Sequence, residues 1–446
     1  MGPFLTGIRV IGGPLPIVIY VLAALATVLL ILRAVPRGGR LRWLVTVLVA
    51  VFAGAAIGVL TCWIVGDLFN AFDVTLSFSS RAWVAAAFAG VALAIVNIAR
   101  GRARRRAVAI ASIVVFVLLG ALGVNKDFGQ YPTLASILGI SSIPALPTAL
   151  VDSERAGAGT ATTTEVPLWQ SWRAPADLPK KGIVGGITIP ATVSHFAARK
   201  AVVYLPPAAL VANPPALPVF IMLSGQPGTP ENVFISGHLD AIADRIAAAN
   251  NGLAPIVVVP DQLTAPGVNP MCVDSVIGKS ATYLTVDVPR WIRANLNVQS
   301  APAAWGIGGF SQGGTCSIQL GAGHPEIFGS ILDVSGELEP KVGTPEQTIQ
   351  RGFAGDAAAY ARAKPLALLA AHGPYSDTVA VFAVGSLDAK YNPWVATVST
   401  AASAAGMRAT LLSSPGTGHD WYTVRYALEH GLPTIYAQMG LMRPTP

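Results

Sequence analysis

Trp305-Gly306-Ile307-Gly308-Gly309-Phe310-Ser311-Gln312-Gly313-Gly314-Thr315-Cys316 passes from an apolar strand over Ala304–Gly308 straight into a helical pattern over Gly313–Gly321. The join between them is a G-x-S-x-G. A serine on so sharp a strand-to-helix turn needs small neighbours, because the backbone is crowded there. The turn lifts its hydroxyl above the sheet edge, and the helix N-terminus favours negative charge developing beside it. In an ordinary loop the same five letters would be a structural turn without chemistry. Their place between strand and helix gives Ser311 its weight.

Working outward, strand-like runs occur at Gly182–Pro190, Ala201–Leu205, Pro218–Leu223, Pro255–Val259, Gly329–Val334, Val379–Val384 and Arg408–Leu412. Helical patterns lie at His238–Ala249, Tyr283–Leu296, Pro393–Ala405 and Thr423–Met439. Consecutive strands followed by strand–helix alternation predict a mostly parallel sheet with helices on both faces.

A serine hydroxyl needs a base, and the base needs an acid to fix its tautomer. Four of the six histidines follow Ser311. His419, in Gly416-Thr417-Gly418-His419-Asp420-Trp421, leaves the last strand in a Gly-rich loop at the sheet's carboxyl edge. His372 precedes a strand, and His324 and His430 fall at helix ends. Asp388 follows Val379–Val384 at the same edge as His419, whereas Asp377 precedes that strand and Asp333 lies inside one. The order Ser, acid, His results. An oxyanion would be held by the backbone N–H of Gln312 and by one from Ser224-Gly225-Gln226-Pro227-Gly228, where Gln226 is the candidate because Pro227 has no N–H. An ordinary turn is the alternative for that loop.

Cys272 and Cys316 are the only cysteines beyond the N-terminal part. Outside the cell they would form a disulfide bracing the helix behind Ser311, and two buried thiols are the other reading. Asp274 is a candidate to line the site or to cap a turn. No His/Cys/Asp/Glu spacing suits a metal, and no G-x-G-x-x-G follows a strand, so neither metal nor nucleotide cofactor is expected.

The N-terminal part is a different material. The whole chain is 52% hydrophobic and 12% charged, with a mean hydropathy of +0.56, outside the range of a soluble globular protein. Four uncharged apolar runs, Pro14–Leu32, Trp43–Val65, Ala82–Ile98 and Ala107–Val124, each approach the ~20 residues that span a bilayer. The net charge of +7 looks like a nucleic-acid signal until it is located: residues 1–124 carry 11 arginines and two acids, or +9, which leaves −2 for the remainder. Nucleic acid is therefore not an expected partner, and a lipid bilayer is. Arg33 to Arg42 and Arg100 to Arg106 fill the first and third loops, which places those loops in the cytoplasm and the globular part outside. As a topology signal the arginines need no further explanation, although such a loop could also hold anionic headgroups. The spans hold few polar residues, so they read as an anchor, with Gly54-x-x-x-Gly58 as a helix-packing motif. The expected layout is a membrane anchor over 1–124, a linker over 125–181 that includes Gly157–Thr164, and an extracytoplasmic domain over 182–446.

Four stretches, CVDSVIGKSATYLTVDVPRWIRANLNV from Cys272, GIGGFSQGGTCSIQL from Gly306, HPEIFGSILDVSG from His324 and GTGHDWYTV from Gly416, together resemble the esterase-D-type branch of the α/β-hydrolases, which includes the mycobacterial mycolyltransferases. The resemblance covers roughly residues 183–440. It implies an α/β-hydrolase fold, cofactor-free chemistry, and Ser311, Asp388 and His419 as nucleophile, acid and base. Mycolyltransferases carry no membrane bundle and usually have Glu at the position of Asp388. The expected function is a membrane-anchored serine ester hydrolase or acyltransferase acting on envelope lipid or glycolipid esters. A non-catalytic envelope scaffold and a serine peptidase of the same fold are the alternatives.

Overall fold

The computed structural model describes residues 7–33, 36–151 and 166–444. The chain divides into two compact units, Met1–Ser142 and Ile143–Pro446.

The first unit contains four helices long and apolar enough to cross a membrane: α1 Pro14–Ile31, α2 Arg40–Cys62, which continues as a π-helical turn over Trp63–Leu68, α3 Phe78–Arg100 and α4 Ala103–Phe128. They outrun the apolar stretches at several ends because polar end residues make helical hydrogen bonds as readily as apolar ones. Gly54 and Gly58 face α3. A Cβ at Gly54 would stand 2.6 Å from the Phe88 carbonyl oxygen, and one at Gly58 would stand 2.9 Å from Ala85 Cα, so only glycine permits this approach. Thr27, Thr46, Thr61 and Ser112 each return their hydroxyl to a carbonyl one turn back. Leu25, Leu44, Phe52 and Ile110 are exposed, as lipid-facing residues would be.

The expected linker over 125–181 is largely shared between the units. Residues 129–142 close the first unit, where Val10 N–H donates to the Pro132 carbonyl at 2.9 Å and Leu134 N–H to that of Ile8 at 2.9 Å. Residues 143–151 join the second unit, where Leu146 N–H donates to the Gly186 carbonyl at 2.9 Å and Gly186 N–H to that of Pro144 at 2.7 Å. Such Pro-interrupted bridges have no period to read. The linker's Gly/Thr-rich stretch, Gly157–Thr164, lies outside the described residues.

The second unit is built on an eight-stranded sheet: β1 Ile183–Ile187, β2 Ala201–Leu205, β3 Val219–Leu223, β4 Ile256–Val259, β5 Trp305–Phe310, β6 Ser330–Val334, β7 Val379–Gly385 and β8 Arg408–Ser414. Their order is β1-β2-β4-β3-β5-β6-β7-β8. β2 is antiparallel to both neighbours and every other pairing is parallel. Helix α5 spans Leu239–Ala249, α6 Val288–Asn295, α7 Gln312–Gly323, α8 Pro345–Gly352, α9 Ala357–Arg362, α10 Pro365–His372, α11 Asn392–Ala404 and α12 Trp421–Gln438. Helices α7, α10 and α11 pack on one face of the sheet and α5 and α12 on the other. This is the α/β-hydrolase fold. The expected single helix over Tyr283–Leu296 is instead a π-helical turn, Tyr283–Asp287, and then α6. Pro289 has no N–H to give and its ring crowds the preceding turn.

Candidate active site

Parallel strands β5, β7 and β8 deliver their carboxyl ends to one edge of the sheet, and the residues that follow them meet there. Ser311, between β5 and α7, has φ 58° and ψ −118°, a conformation that non-glycine residues rarely adopt. The two glycines of the motif have separate reasons. A Cβ on Gly309 would lie 2.0 Å from the Gly313 carbonyl oxygen, and one on Gly313 would lie 2.4 Å from that of Ser224. The first glycine lets the helix double back over the strand. The second lets it close on the end of β3.

His419 Nδ1 lies 3.0 Å from Asp388 Oδ2, with side chains 6% and 2% exposed. An ionised carboxylate only accepts, so the ring proton sits on Nδ1 and Nε2 carries the lone pair. Nε2 is buried and without a hydrogen-bond partner. The imidazole lies between Tyr391, ring centroids 4.0 Å apart, and Phe310 at 4.9 Å. Phe310 is the residue before Ser311, so this contact brings the elbow to the His419 loop. Asp388 Oδ1 accepts from Tyr391 N–H at 3.2 Å, which fixes the carboxylate's other oxygen. Asp420 caps α12 by accepting from the N–H groups of Gly418, Tyr422 and Thr423 at 2.7, 2.9 and 2.9 Å. Burial raises the Asp420 pKa, against the pull of these N–H groups. The loop that carries His419 is thereby held from both sides.

Gln312 N–H opens α7, among the first helical N–H groups that have no partner within the helix. Gly225 adjoins the elbow, since a Cβ there would stand 3.1 Å from Phe310 Cδ1 and 3.4 Å from its carbonyl oxygen. The Gln226 loop and the Gln312 turn are therefore neighbours. Residues that the sequence reading passed over tie them together. Gln262, after β4, donates Nε2 to the Ser224 carbonyl at 2.6 Å and to Gln312 Oε1 at 3.0 Å. Gln312 Nε2 donates to Asn269 Oδ1 at 3.0 Å. Arg199 pairs with the buried Asp261 at 2.7 Å and donates to the Gly228 carbonyl at 2.9 Å. Cys272 and Cys316 are disulfide-bonded, which ties the loop after β4 to α7.

Asp274 caps a turn. It is exposed and accepts from Thr282 N–H at 2.9 Å and from the Thr282 hydroxyl, closing the turn over Asp274–Lys279. His324 pairs with Glu326, and His430 packs on Tyr426. Asp333 lies beneath the first turn of α7, where burial pushes it up to about 7. Among the described residues no group of three or more His, Cys, Asp or Glu comes together as a metal site would require.

The Esterase family model matches residues 197–425. An uncharacterised protein of Corynebacterium glutamicum is 33% identical over 347 residues, covering 76% of this chain and 78% of that protein. The S-formylglutathione hydrolase of Agrobacterium tumefaciens is 19% identical with a TM-score of 0.48, covering 58% of this chain and 97% of that one. For the Mycobacterium tuberculosis protein MPT51 the identity is 16%, the TM-score 0.42, and the coverage 58% and 99%.

Proposed function

The chain belongs to the Esterase family, a carboxylester hydrolase of α/β-hydrolase fold, and from that premise we propose that it is a membrane-anchored, outward-facing serine ester hydrolase or acyltransferase working on envelope lipid or glycolipid esters. The observation that carries the reading is His419, with Nδ1 on Asp388 and a buried, unpartnered Nε2, packed against the residue before Ser311. Ser311 Oγ attacks the ester carbonyl while His419 Nε2 takes its proton, and Asp388 stabilises the imidazolium. The N–H groups of Gln312 and Gln226 hold the oxyanion. His419 then gives its proton to the departing alcohol, leaving an acyl-Ser311. Water releases the acid, or a second alcohol takes the acyl group.

Two features support a lipid-phase substrate. The four apolar helices confine the site to the neighbourhood of a bilayer if they span it. Leu387, beside Asp388, is 67% exposed and offers an apolar surface next to the catalytic acid. The outward orientation rests on the arginines between α1 and α2 and between α3 and α4, while Asp67 and Asp127 lie at the other helix ends. The test is a fluorophosphonate probe on the detergent-solubilised chain. Labelling at Ser311 that the Ser311→Ala variant loses is expected. An unlabelled Ser311 in folded protein would leave a scaffold.

A further inference from the structure

At the Arg-rich end of the membrane unit, side chains of other helices hold the last carbonyls of α1. Arg105 donates Nη2 to the Leu30 carbonyl at 2.7 Å and Nη1 to that of Leu32 at 3.1 Å, and the Trp43 indole N–H donates to Ile31 at 2.9 Å. The end of α3 is held likewise, with Arg33 Nη2 on the Arg100 carbonyl at 2.7 Å and Arg106 Nε on that of Ile98 at 3.1 Å. Arg105 Nε reaches the fully buried Asn97 at 2.6 Å, and Arg100 Nη1 reaches Thr46 Oγ1 at 2.9 Å. The guanidinium carbons of Arg33 and Arg105 stand 5.2 and 5.9 Å from the centroid of the Trp43 ring.

A helix C-terminus carries about half a negative charge. The ends of α1 and α3 thus offset about one of the four positive charges on Arg33, Arg100, Arg105 and Arg106. The acids of this unit are engaged elsewhere, Asp67 with Arg81 at 2.7 Å, Asp73 with Asn70 Nδ2 at 2.9 Å and Asp127 with the Ser77 and Ser80 hydroxyls. A topology signal requires only that arginines occupy the loops. It does not draw two like charges onto one indole.

We propose that Arg33, Arg100, Arg105 and Trp43 form a site for a single phosphate-bearing anion, and that a lipid phosphodiester headgroup is its source. Arg33 uses Nη2 on a carbonyl and keeps Nε and Nη1 for a ligand, and the guanidinium fork matches two phosphate oxygens. The headgroup would neutralise the convergence of charge and lock the ends of α1 and α3 to the turn into α4. This inference stands apart from the ester chemistry.

The test uses the full chain in detergent, with bound lipid counted by native mass spectrometry. One phosphatidylglycerol per chain is expected, retained in preference to phosphatidylcholine. Arg33→Gln should weaken it about tenfold, the loss of one charge-assisted contact. Arg104→Gln, at an exposed position in the first turn of α4, removes the same charge and should leave binding unchanged. Arg100→Gln serves as the second variant if Arg33→Gln does not fold, with esterase activity reporting the integrity of the rest. Competition by inorganic phosphate would support the site by identifying the phosphate as the recognised group. Retention of inorganic phosphate without lipid would overturn the lipid source. Equal weakening by Arg33→Gln and Arg104→Gln, or no preference for phosphatidylglycerol and no phosphate bound, would overturn it.

Discussion

Among the described residues of the first unit the buried polar side chains are Ser80, Asn97 and Ser112, all neutral, whereas the second unit buries Asp261, Asp287, Asp333, Glu337, Asp388 and Asp420. A buried carboxylate costs several kcal/mol unless something holds it. The first unit avoids the cost by keeping its ionisable groups at helix ends. The second incurs it repeatedly, and mostly around one edge of its sheet: Asp261 is held by Arg199, Asp388 by His419 and Tyr391 N–H, and Asp420 by three N–H groups. The contrast separates a part whose four helices are long and apolar enough to cross a membrane from a part in which buried charge surrounds the candidate site.

The largest effects should fall where that buried charge meets Ser311. Ser311→Ala is expected to cut turnover of a soluble short-chain ester by about 10⁶. Asp388→Asn should cost about 10⁴, because an amide presents N–H groups to Nδ1 and disfavours the needed tautomer. Both are read from kcat/KM with circular dichroism as the check on folding, and turnover that survives Ser311→Ala would place the chemistry elsewhere.

All eight sheet strands are legible in the sequence, the first seven because each is a largely apolar run ended by Pro, Gly or polar residues, and β8, RATLLSS at the sheet's edge, from the β-type residues Thr410, Leu411 and Leu412. Placing His419 and Asp388 needed only the rule that residues following parallel strands share an edge. The same rule would have drawn attention to Gln262, which follows β4 in Val259-Pro260-Asp261-Gln262, had amides been weighed beside acids and bases. Helices α8, α9 and α10 escaped because they are short and punctuated by Gly352, Gly355 and Pro365, so that no period runs long enough to register. Tyr391 escaped for another reason: its contact with His419 joins two loops, and nothing local in either announces it.

The next effect concerns how the site is braced. The disulfide closes a loop with a sequence separation of 44, so loop-closure entropy sets its contribution at about 4 kcal/mol. Replacing Cys272 and Cys316 together by Ser should lower denaturant stability of the second unit by up to about that much. A loss below ~1 kcal/mol would show that Gln312, Gln262 and Asn269 hold the nucleophile helix without it.

Asp333 offers a pH-dependent comparison. Its folded pKa is raised by burial to about 7, so between the ordinary carboxylate pKa and 7 the unfolded chain gives up a proton that the folded chain keeps. Its neutral form stabilises the fold at acid pH, and that stability is lost as pH rises towards 7, by about 2–4 kcal/mol. Asp333→Asn should flatten this slope in thermal unfolding followed from pH 4 to 8, and an unchanged slope would assign it to other groups.

The smallest effect belongs to the first unit and tests whether the two units are energetically separate. Leu at Gly58 would meet Ala85 Cα and the Val84 carbonyl, 2.9 and 3.1 Å from its Cβ position, forcing α2 away from α3. Overpacking of this kind costs about 1–3 kcal/mol, which should appear as easier unfolding of the membrane unit in detergent. Phe52→Leu, at an exposed apolar position on the same helix, should cost less than ~0.5 kcal/mol. Neither change should alter kcat/KM for a soluble ester, because the residues that position Ser311, His419 and Asp388 all lie beyond Ile143. A parallel fall in kcat/KM with Gly58→Leu alone would mean that the bundle does more than anchor, and that the site depends on how its helices pack.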